Sequence, residues 1–339
     1  TINDETFHIV KKKCRNLVIS QWYEDNLTIN GPDFEKNYSN LKNNFNFINN
    51  LFISTHPDEV SKKSSNLNYH FLPTPVDKNI EKLNVYKLKN FTYDVFFAMS
   101  HGVNRGKIKS GKKDERENFI NELLELNKDI KFDIYGYNSR NPVWSESFYE
   151  AISRSFMAVN LNRGKLKKYS SSNRIGSLIG NGLLTFIDYK KKFNHFFKEN
   201  ELVFYKDIYD LSDKINFYKD NIDIAKKIAK NGQKKYFKLF NEKEVAKYII
   251  NKSFGLKTLG KKLTKHYAIE QGNQAPLLFF EKNSIKILGP VRGAQKAQKM
   301  FDNLWTLDNQ GEMLLAQRKW LNEKISAGDK KRTKQGEDF

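Results

Sequence analysis

The sequence predicts an α/β protein built on a doubly wound parallel sheet. Short apolar runs alternate with longer stretches of helical spacing from residue 94 to residue 207. This alternation is typical of parallel strands joined by crossover helices. Polar clusters rich in Gly, Asn and Arg follow several of the apolar runs, as expected where strands end. The chain of 339 residues is 39% hydrophobic and 14% aromatic, which is sufficient for a packed core.

The first part of the chain carries two predicted strands and a connector. The apolar runs within 16–25 and 47–55 are each followed by turn-forming or polar residues, which favours strands. Residues 69–77 are predicted to be an extended connector, because Pro73 and Pro75 disfavour helix in the residues before them.

The second part carries a regular series of elements. The predicted strands cover 94–100, 130–138, 156–162, 183–188 and 201–207. The predicted helices cover 114–129, 145–155, 173–181, 208–219, 222–238 and 241–253. Strands separated by helices in this way indicate a Rossmann-like sheet with helices on both faces.

Composition limits the class of protein. Cys14 is the single cysteine, which excludes an internal disulfide framework and a cysteine zinc site. No apolar run approaches the roughly 20 residues of a membrane span, so we expect a cytoplasmic protein. The net charge of +20 favours an anionic partner, namely nucleic acid, an acidic membrane surface or a phosphorylated small molecule. The chain begins with Thr1, and we expect a truncated N-terminus.

Polar clusters follow three of the predicted strands. They comprise His101, Gly102, Asn104, Arg105, Gly106, Lys107 and Lys109, then Gly136, Tyr137 and Asn138, and then Asn160, Asn162, Arg163, Gly164 and the run Ser170–Arg174. Helix-start amides with nearby arginines form anion sites, which predicts a phosphate-bearing ligand. The alternative for the serine-rich run is helix capping by Ser172 or Asn173, with Gly182 ending the helix.

The order of these elements resembles the C-terminal half of a GT-B glycosyltransferase, nearest to family 1-like and spore-maturation-type bacterial enzymes. The resemblance spans roughly residues 90–254 and is carried by YDVFFAMSHG, Arg116 in DERENF, FDIYGYN, NRIGSLIGNGLLTFID, ELVFYKDIYDLSDKINFYKDN and AKKIAKNGQKKYFKLFNEKEVAKYII. It implies a partial acceptor-side α/β domain at 1–90 and a nucleotide-sugar-binding domain at 91–256. The last helix of such folds returns to the N-terminal domain, a role that residues 238–254 are expected to fill.

The resemblance also implies a donor site. The nucleotide base would lie near Gly136, Tyr137 and Asn138, and the diphosphate at the helix start 171–174. The full expected donor set is Arg105, Lys109, Arg116, Gly136, Tyr137, Asn138, Asn162, Arg163, Ser171, Ser172, Asn173 and Arg174. Arg174 would stabilise the leaving group. The family places a glutamate early in this helix, whereas Gly176 and Ser177 stand here.

The candidates for a catalytic base are Asp25 and His56, which both follow predicted strands. The alternatives are a turn residue for Asp25 and a helix cap for His56. No two aspartates stand two positions apart, which excludes the Asp-x-Asp metal motif of GT-A enzymes. We therefore expect no metal and no cofactor other than the nucleotide-sugar donor.

The expected function is transfer of a hexosyl-type sugar from a nucleotide-sugar donor to a saccharide or lipid-linked acceptor, for bacterial polysaccharide biosynthesis. The basic surface would favour peripheral contact with the acidic inner membrane. The alternatives are a non-catalytic nucleotide- or sugar-binding module of the same fold and a basic nucleic-acid-binding protein. The sequence lacks recognition motifs for nucleic acid, so that partner is not expected.

The composition changes after Leu256. Residues 1–256 contain two glutamines and residues 257–339 contain seven. We predict an extra hairpin and helical tail at 257–325, with the hairpin around Glu281–Ser284, and disorder at 326–339.

Overall fold

The fold is described from a computed structural model. It describes residues 4–14, 17–25, 27–29, 31, 33–100 and 116–255, and the backbone of four short strands at 103–104, 107–108, 277–281 and 284–288. The chain divides into two compact units, Thr1–Thr258 and Leu259–Phe339.

A small parallel sheet forms the N-terminal part of the first unit. Its strands are β1 (Ser20–Tyr23), β2 (Asn50–Ile53) and β3 (Asn68–Phe71), paired in the order β1-β2-β3. The central strand β2 is buried along its whole length, as expected for a strand covered on both faces. Helices α1 (Asp4–Lys13) and α2 (Phe34–Lys42) accompany this sheet.

The connector predicted at 69–77 is partly wrong. Residues up to Phe71 pair with β2 in parallel register, so the extended connector begins only after β3. The two prolines restrict the residues next to them, and β3 ends before that restriction applies.

The second sheet has the predicted doubly wound topology. Its strands are β4 (Tyr93–Ala98), β7 (Phe132–Tyr135), β8 (Ser155–Asn160), β9 (Leu184–Asp188) and β10 (Val203–Tyr205), whereas β5 (Val103–Asn104) and β6 (Lys107–Ile108) form a separate antiparallel pair. All neighbours in the order β10-β9-β8-β4-β7 are parallel. In chain order this is 2-1-3-4-5, one of the two common doubly wound arrangements.

Six helices complete this half. They are α3 (Arg116–Leu126), α4 (Ser145–Ile152), α5 (Asn173–Gly180), α6 (Ile208–Asp220), α7 (Ile222–Phe240) and α8 (Glu242–Ser253). Alternation along β4 explains why both faces are covered. Val95 and Phe97 pack in one core with α3, α6 and α7, and Phe96 and Ala98 pack in the other with α4 and α5.

An extended connector and a returning helix join the two sheets. The Leu72 amide donates to Ile53 O at 2.7 Å, and the Val76 amide donates to Phe240 O at 3.0 Å. Helix α8 then lies against β2, where the Tyr248 ring meets the Phe52 ring edge-on at 6.1 Å. The expected return of residues 238–254 to the N-terminal part is therefore present.

In the second unit, β11 (Leu277–Glu281) and β12 (Ser284–Leu288) form an antiparallel hairpin, as predicted. The predicted helical tail and the predicted disorder at 326–339 lie outside the described residues. The domain boundaries predicted at 90 and 256 stay predictions. Within the described part of the chain, no helix combines the length and apolar character needed to cross a membrane.

Candidate functional site

The crevice between the carboxyl ends of β4 and β8 is the topological switch point of the second sheet. The connection after β4 leads to α3 on one face, and the connection after β8 leads to α5 on the other. Ligands of open α/β sheets bind at such crevices. The clusters after β7 and β8, which the structure describes, therefore lie at one edge of the sheet.

Arg174, in the first turn of α5, bridges this crevice. Its Nε donates to Asn160 Oδ1 at 3.0 Å and its Nη2 to Leu161 O at 2.7 Å. Its Nη1 donates to Ala98 O, at the end of β4. The guanidinium predicted to bind a diphosphate thus also ties the ends of two strands together. Its role toward a leaving group stays a prediction.

Two arginines contribute positive charge to the described part of the crevice. Arg116 is buried at the start of α3, and burial together with the charge of Arg116 lowers the pKa of Arg174 to about 10. Asn160 is fully buried, and its Nδ2 has no hydrogen-bond partner among the residues that the structure describes. Buried donors without acceptors are uncommon in folded proteins, so this amide marks a place in the crevice where an acceptor would be favoured.

The three serines before α5 all use their hydroxyl groups internally. Ser170 Oγ accepts from Asn162 Nδ2. Ser171 Oγ accepts from the Thr74 amide at 3.0 Å and donates to Thr74 Oγ1 at 3.2 Å. Ser172 is the N-cap of α5, and its Oγ accepts from the Ile175 amide at 3.4 Å. The capping alternative for Ser172 is thus observed, and the assignment of Ser171 and Ser172 to a donor site stays a prediction.

The backbone amides at this helix start have a different environment. The amides of Asn173 and Arg174 have no hydrogen-bond acceptor within the described ranges. The first amides of a helix point outward along its positive dipole end. The groups of this segment that remain open to the predicted phosphate are therefore its main-chain amides.

The predicted base-binding residues lie at the same sheet edge. Gly136 follows β7, and its amide donates to Arg140 O at 3.0 Å. Its φ is +73°, and a Cβ there would stand 1.7 Å from Met99 O, so only glycine fits. Tyr137 donates its hydroxyl to Asn121 Oδ1, and Asn138 is exposed with φ of 48°.

Lys191 is a residue of this site that the sequence analysis missed. It lies in a short 3-10 turn after β9 and is completely buried. Its Nζ donates to Asn162 Oδ1 at 2.5 Å, beside the charge of Arg174. Three consecutive lysines at 190–192 gave no signal, because such a run usually indicates a solvated surface.

One other predicted donor residue lies away from this crevice. Arg163 forms an exposed ion pair with Asp33 of the N-terminal part, with Nη1 and Oδ2 at 3.2 Å. Arg105 and Lys109 lie outside the described residues.

The candidate bases differ in their surroundings. His56 is buried, and its Nδ1 accepts from the Asp58 amide at 3.2 Å, which is the capping alternative. Asp25 is exposed after β1. Its neighbour Glu24, also exposed, accepts from Asn173 Nδ2 at 3.4 Å and so reaches the start of α5. The sequence analysis missed Glu24, although it shares the strand end of Asp25.

Packing explains the missing helix glutamate. A Cβ at Gly176 would stand 3.3 Å from Thr74 Cγ2, in the connector between the two sheets. Ser177 hydrogen-bonds the Tyr149 side chain of α4. A long acidic side chain at Gly176 would therefore meet the connector rather than the crevice.

The parallel sheets, the 2-1-3-4-5 order and the cationic crevice define an α/β fold of the GT-B type. Residues 113–251 match the family model described as glycosyl transferase-like, which confirms the predicted resemblance. Among curated proteins, none matches this chain.

Solved structures give the same fold. A mutant of S. aureus TarM, solved with fondaparinux, α-GlcNAc-glycerol and UDP, is 15% identical with a TM-score of 0.50, covering 72% of this chain and 52% of that one. The TarM crystal structure is 12% identical with a TM-score of 0.49, covering 70% and 51%. Anabaena HepE in complex with UDP is 10% identical with a TM-score of 0.47, covering 70% and 72%. This chain therefore spans about half the length of TarM.

Proposed function

We propose that this chain transfers a sugar from a nucleoside-diphosphate donor to a saccharide or lipid-linked acceptor. The observation that carries the proposal is the convergence of Arg116, Arg174 and buried Lys191 on the strand ends below the start of α5. Grouped buried cations are costly unless an anion offsets them. A diphosphate at this helix start would supply that charge.

The geometry supports separate positions for the nucleotide base and the diphosphate of the donor. The nucleotide base would pack near Gly136 and Tyr137, and the diphosphate would accept from the amides of Asn173 and Arg174. Negative charge grows on the diphosphate as the glycosidic bond breaks, and preorganised cations and amides stabilise that charge. Such a site supports transfer without a metal ion, in keeping with a sequence that has no Asp-x-Asp motif.

The acceptor would approach from the N-terminal part of the chain. Glu24 contacts Asn173 at the start of α5, next to the proposed diphosphate position. We propose a cytoplasmic enzyme of polysaccharide biosynthesis that transfers hexose units. The net charge of +20 would favour contact with an acidic membrane or a phosphorylated acceptor.

A second candidate is a nucleotide-sugar-binding module without catalytic activity. The observation that favours it is the packing of Gly176 against Thr74, which leaves no place for the helix glutamate of the family. The two candidates differ in turnover. Release of UDP from UDP-sugars in the presence of saccharide acceptors supports the enzyme, and tight binding without release supports the module.

The test of the donor site uses the main chain of α5. Asn173 is the first residue of the helix, where proline is well tolerated because no helical hydrogen bond is lost. Ser172 before it is already extended, with φ of −145° and ψ of 157°, as proline requires. The variant Asn173→Pro therefore removes one amide donor and preserves the helix.

The matched control is Asn173→Ala, which removes the same side chain and keeps the amide. Thermal shift is measured with a panel of nucleoside diphosphates, starting with UDP because the TarM mutant was solved with it. We expect one diphosphate to stabilise the wild type and Asn173→Ala, and to stabilise Asn173→Pro much less. Equal stabilisation of all three would refute the site, and no stabilisation of the wild type would refute nucleotide binding.

A further inference from the structure

Lys191 has an environment that the proposed function does not by itself explain. Its side chain is completely buried, whereas lysines are rarely buried unless they are paired. Its neighbour Lys190 on the same turn is exposed. Burial of one lysine in a run of three indicates a specific role at that position.

The contacts of Lys191 lead directly to the loop before α5. Its Nζ donates to Asn162 Oδ1 at 2.5 Å, and Asn162 Nδ2 donates to Ser170 Oγ. Its carbonyl oxygen accepts from the Tyr169 amide at 2.8 Å. Tyr169 is buried with a positive φ of 59°. Lys191 thus holds both ends of a strained turn that delivers the chain to the start of α5.

The charged groups around Lys191 come from several elements. Arg174 faces it from α5, with Arg116 of α3 beyond, and Asp188 faces it from the end of β9. Tyr205 of β10 lies next to Asp188, and burial keeps its hydroxyl protonated by raising its pKa. Among the described groups named here, the two cations Lys191 and Arg174 therefore lie beside one carboxylate, Asp188.

This imbalance has a physical consequence for the ammonium group. Burial, followed by the charge of Arg174, lowers the pKa of Lys191 to about 7, although Asp188 opposes the shift. Near neutral pH the group is therefore divided between its charged and neutral forms. An added anion nearby would favour the charged form.

We infer that Lys191 is a positioning residue of the proposed donor site, and that its neutral form takes up one proton from solvent when a nucleoside diphosphate binds. The inference rests on the proposed function. The diphosphate at the start of α5 replaces the missing negative charge, and the protonated Nζ keeps Asn162 and Ser170 in place beneath it. A purely structural lysine would not couple its proton to the ligand.

The experiment measures UDP affinity by calorimetry between pH 7 and pH 9. The diphosphate of UDP is about nine-tenths ionised or more across this window, because its last phosphate pKa is about 6. Arg174, with a pKa of about 10, stays mostly protonated there. If the bound state keeps Lys191 charged, the dissociation constant rises by roughly 50-fold from pH 7 to pH 9. Buffers of different ionisation enthalpy report the proton taken up.

Two variants test whether the pH dependence of UDP binding comes from Lys191. Lys191→Met keeps the length of the side chain without its charge, and we expect weak, pH-independent binding. Lys190→Met is the matched control on the same turn, and we expect it to keep the pH dependence of the wild type. If Lys191→Met does not fold, the inference is still tested by the proton uptake of the wild type, measured in buffers of different ionisation enthalpy.

The outcomes separate the inference from the proposed function. UDP binding with the same affinity across the window and no proton uptake overturns the inference and leaves the donor site standing. Undiminished pH dependence in folded Lys191→Met overturns the assignment to this residue. Absence of UDP binding at every pH overturns both.

Discussion

Replacement of Gly232 by alanine tests how closely α7 is packed against the second sheet. Gly232 is in the interior of this helix, and a Cβ there would stand 2.2 Å from Glu201 O. That carbonyl belongs to a turn held by two hydrogen bonds, from the Glu201 amide to Lys198 O and from the Lys198 amide to Glu201 Oε2, each 2.9 Å. The obstacle is therefore main chain that cannot move alone.

Two opposing effects set the change in the free energy of unfolding. Alanine in a helix interior is favoured over glycine by about 1 kcal/mol. Overpacking in a closed contact costs about 1–3 kcal/mol, and a 2.2 Å approach to a backbone oxygen belongs at the upper end. We expect Gly232→Ala to lower the free energy of unfolding by about 2 kcal/mol, the difference between about 3 and about 1.

The assay is urea unfolding, read as the transition midpoint at an unchanged m-value. The matched control is Gly176→Ala in α5, where the nearest atom to the new Cβ is a side-chain methyl, Thr74 Cγ2, at 3.3 Å. Because that methyl adjusts more easily, we expect a change within about 0.5 kcal/mol of wild type. A Gly232→Ala protein as stable as wild type, or a control equally destabilised, would refute the reasoning.

Three further predictions concern charge. Asp133 is completely buried between two arginines at 2.7 and 3.1 Å, and Asp133→Asn should lower the free energy of unfolding by about 2 kcal/mol in thermal denaturation, because both cations lose their partner. The lowered pKa of Lys191, about 7 against about 10.4 unfolded, means that the unfolded chain binds more protons between these values. The free energy of unfolding of the wild type, measured by urea unfolding relative to Lys191→Met, should therefore rise from pH 7 to pH 9. The rise is at most about 1.4 kcal/mol per pH unit. Glu24→Gln should tighten UDP binding by about 2–5-fold, because it removes a negative charge at the start of α5, whereas Asp25→Asn should not.

The sequence predicted the second sheet well because its strands are short apolar runs between clear helical patterns. The alternation of strands with crossover helices predicted that the sheet is parallel, whereas the order of its strands was not predicted. The N-terminal helices α1 and α2 were missed. Both are rich in charged and polar residues, and their apolar residues make a weak periodic signal.

The partners of the site residues were beyond sequence reasoning. Ser171 uses its hydroxyl on Thr74, which lies 97 positions away, and nothing local indicates that contact. The same limit applied to Lys191, because burial depends on the turn that β9 enters rather than on the residue itself. Local propensity predicts where a helix begins, and long-range packing decides which groups at that start are already occupied.

The hydrogen bonds between Ser171 and the N-terminal part of the chain have a mechanical consequence. Its amide donates to Ser54 O at 2.8 Å, its hydroxyl bonds Thr74, and the His56 amide donates to Lys168 O at 2.9 Å in the same loop. A rotation that separates the two sheets must break these bonds and pull on the turn before α5. Movement of the two sheets apart is thus coupled to the conformation of the helix start that we propose as the diphosphate site.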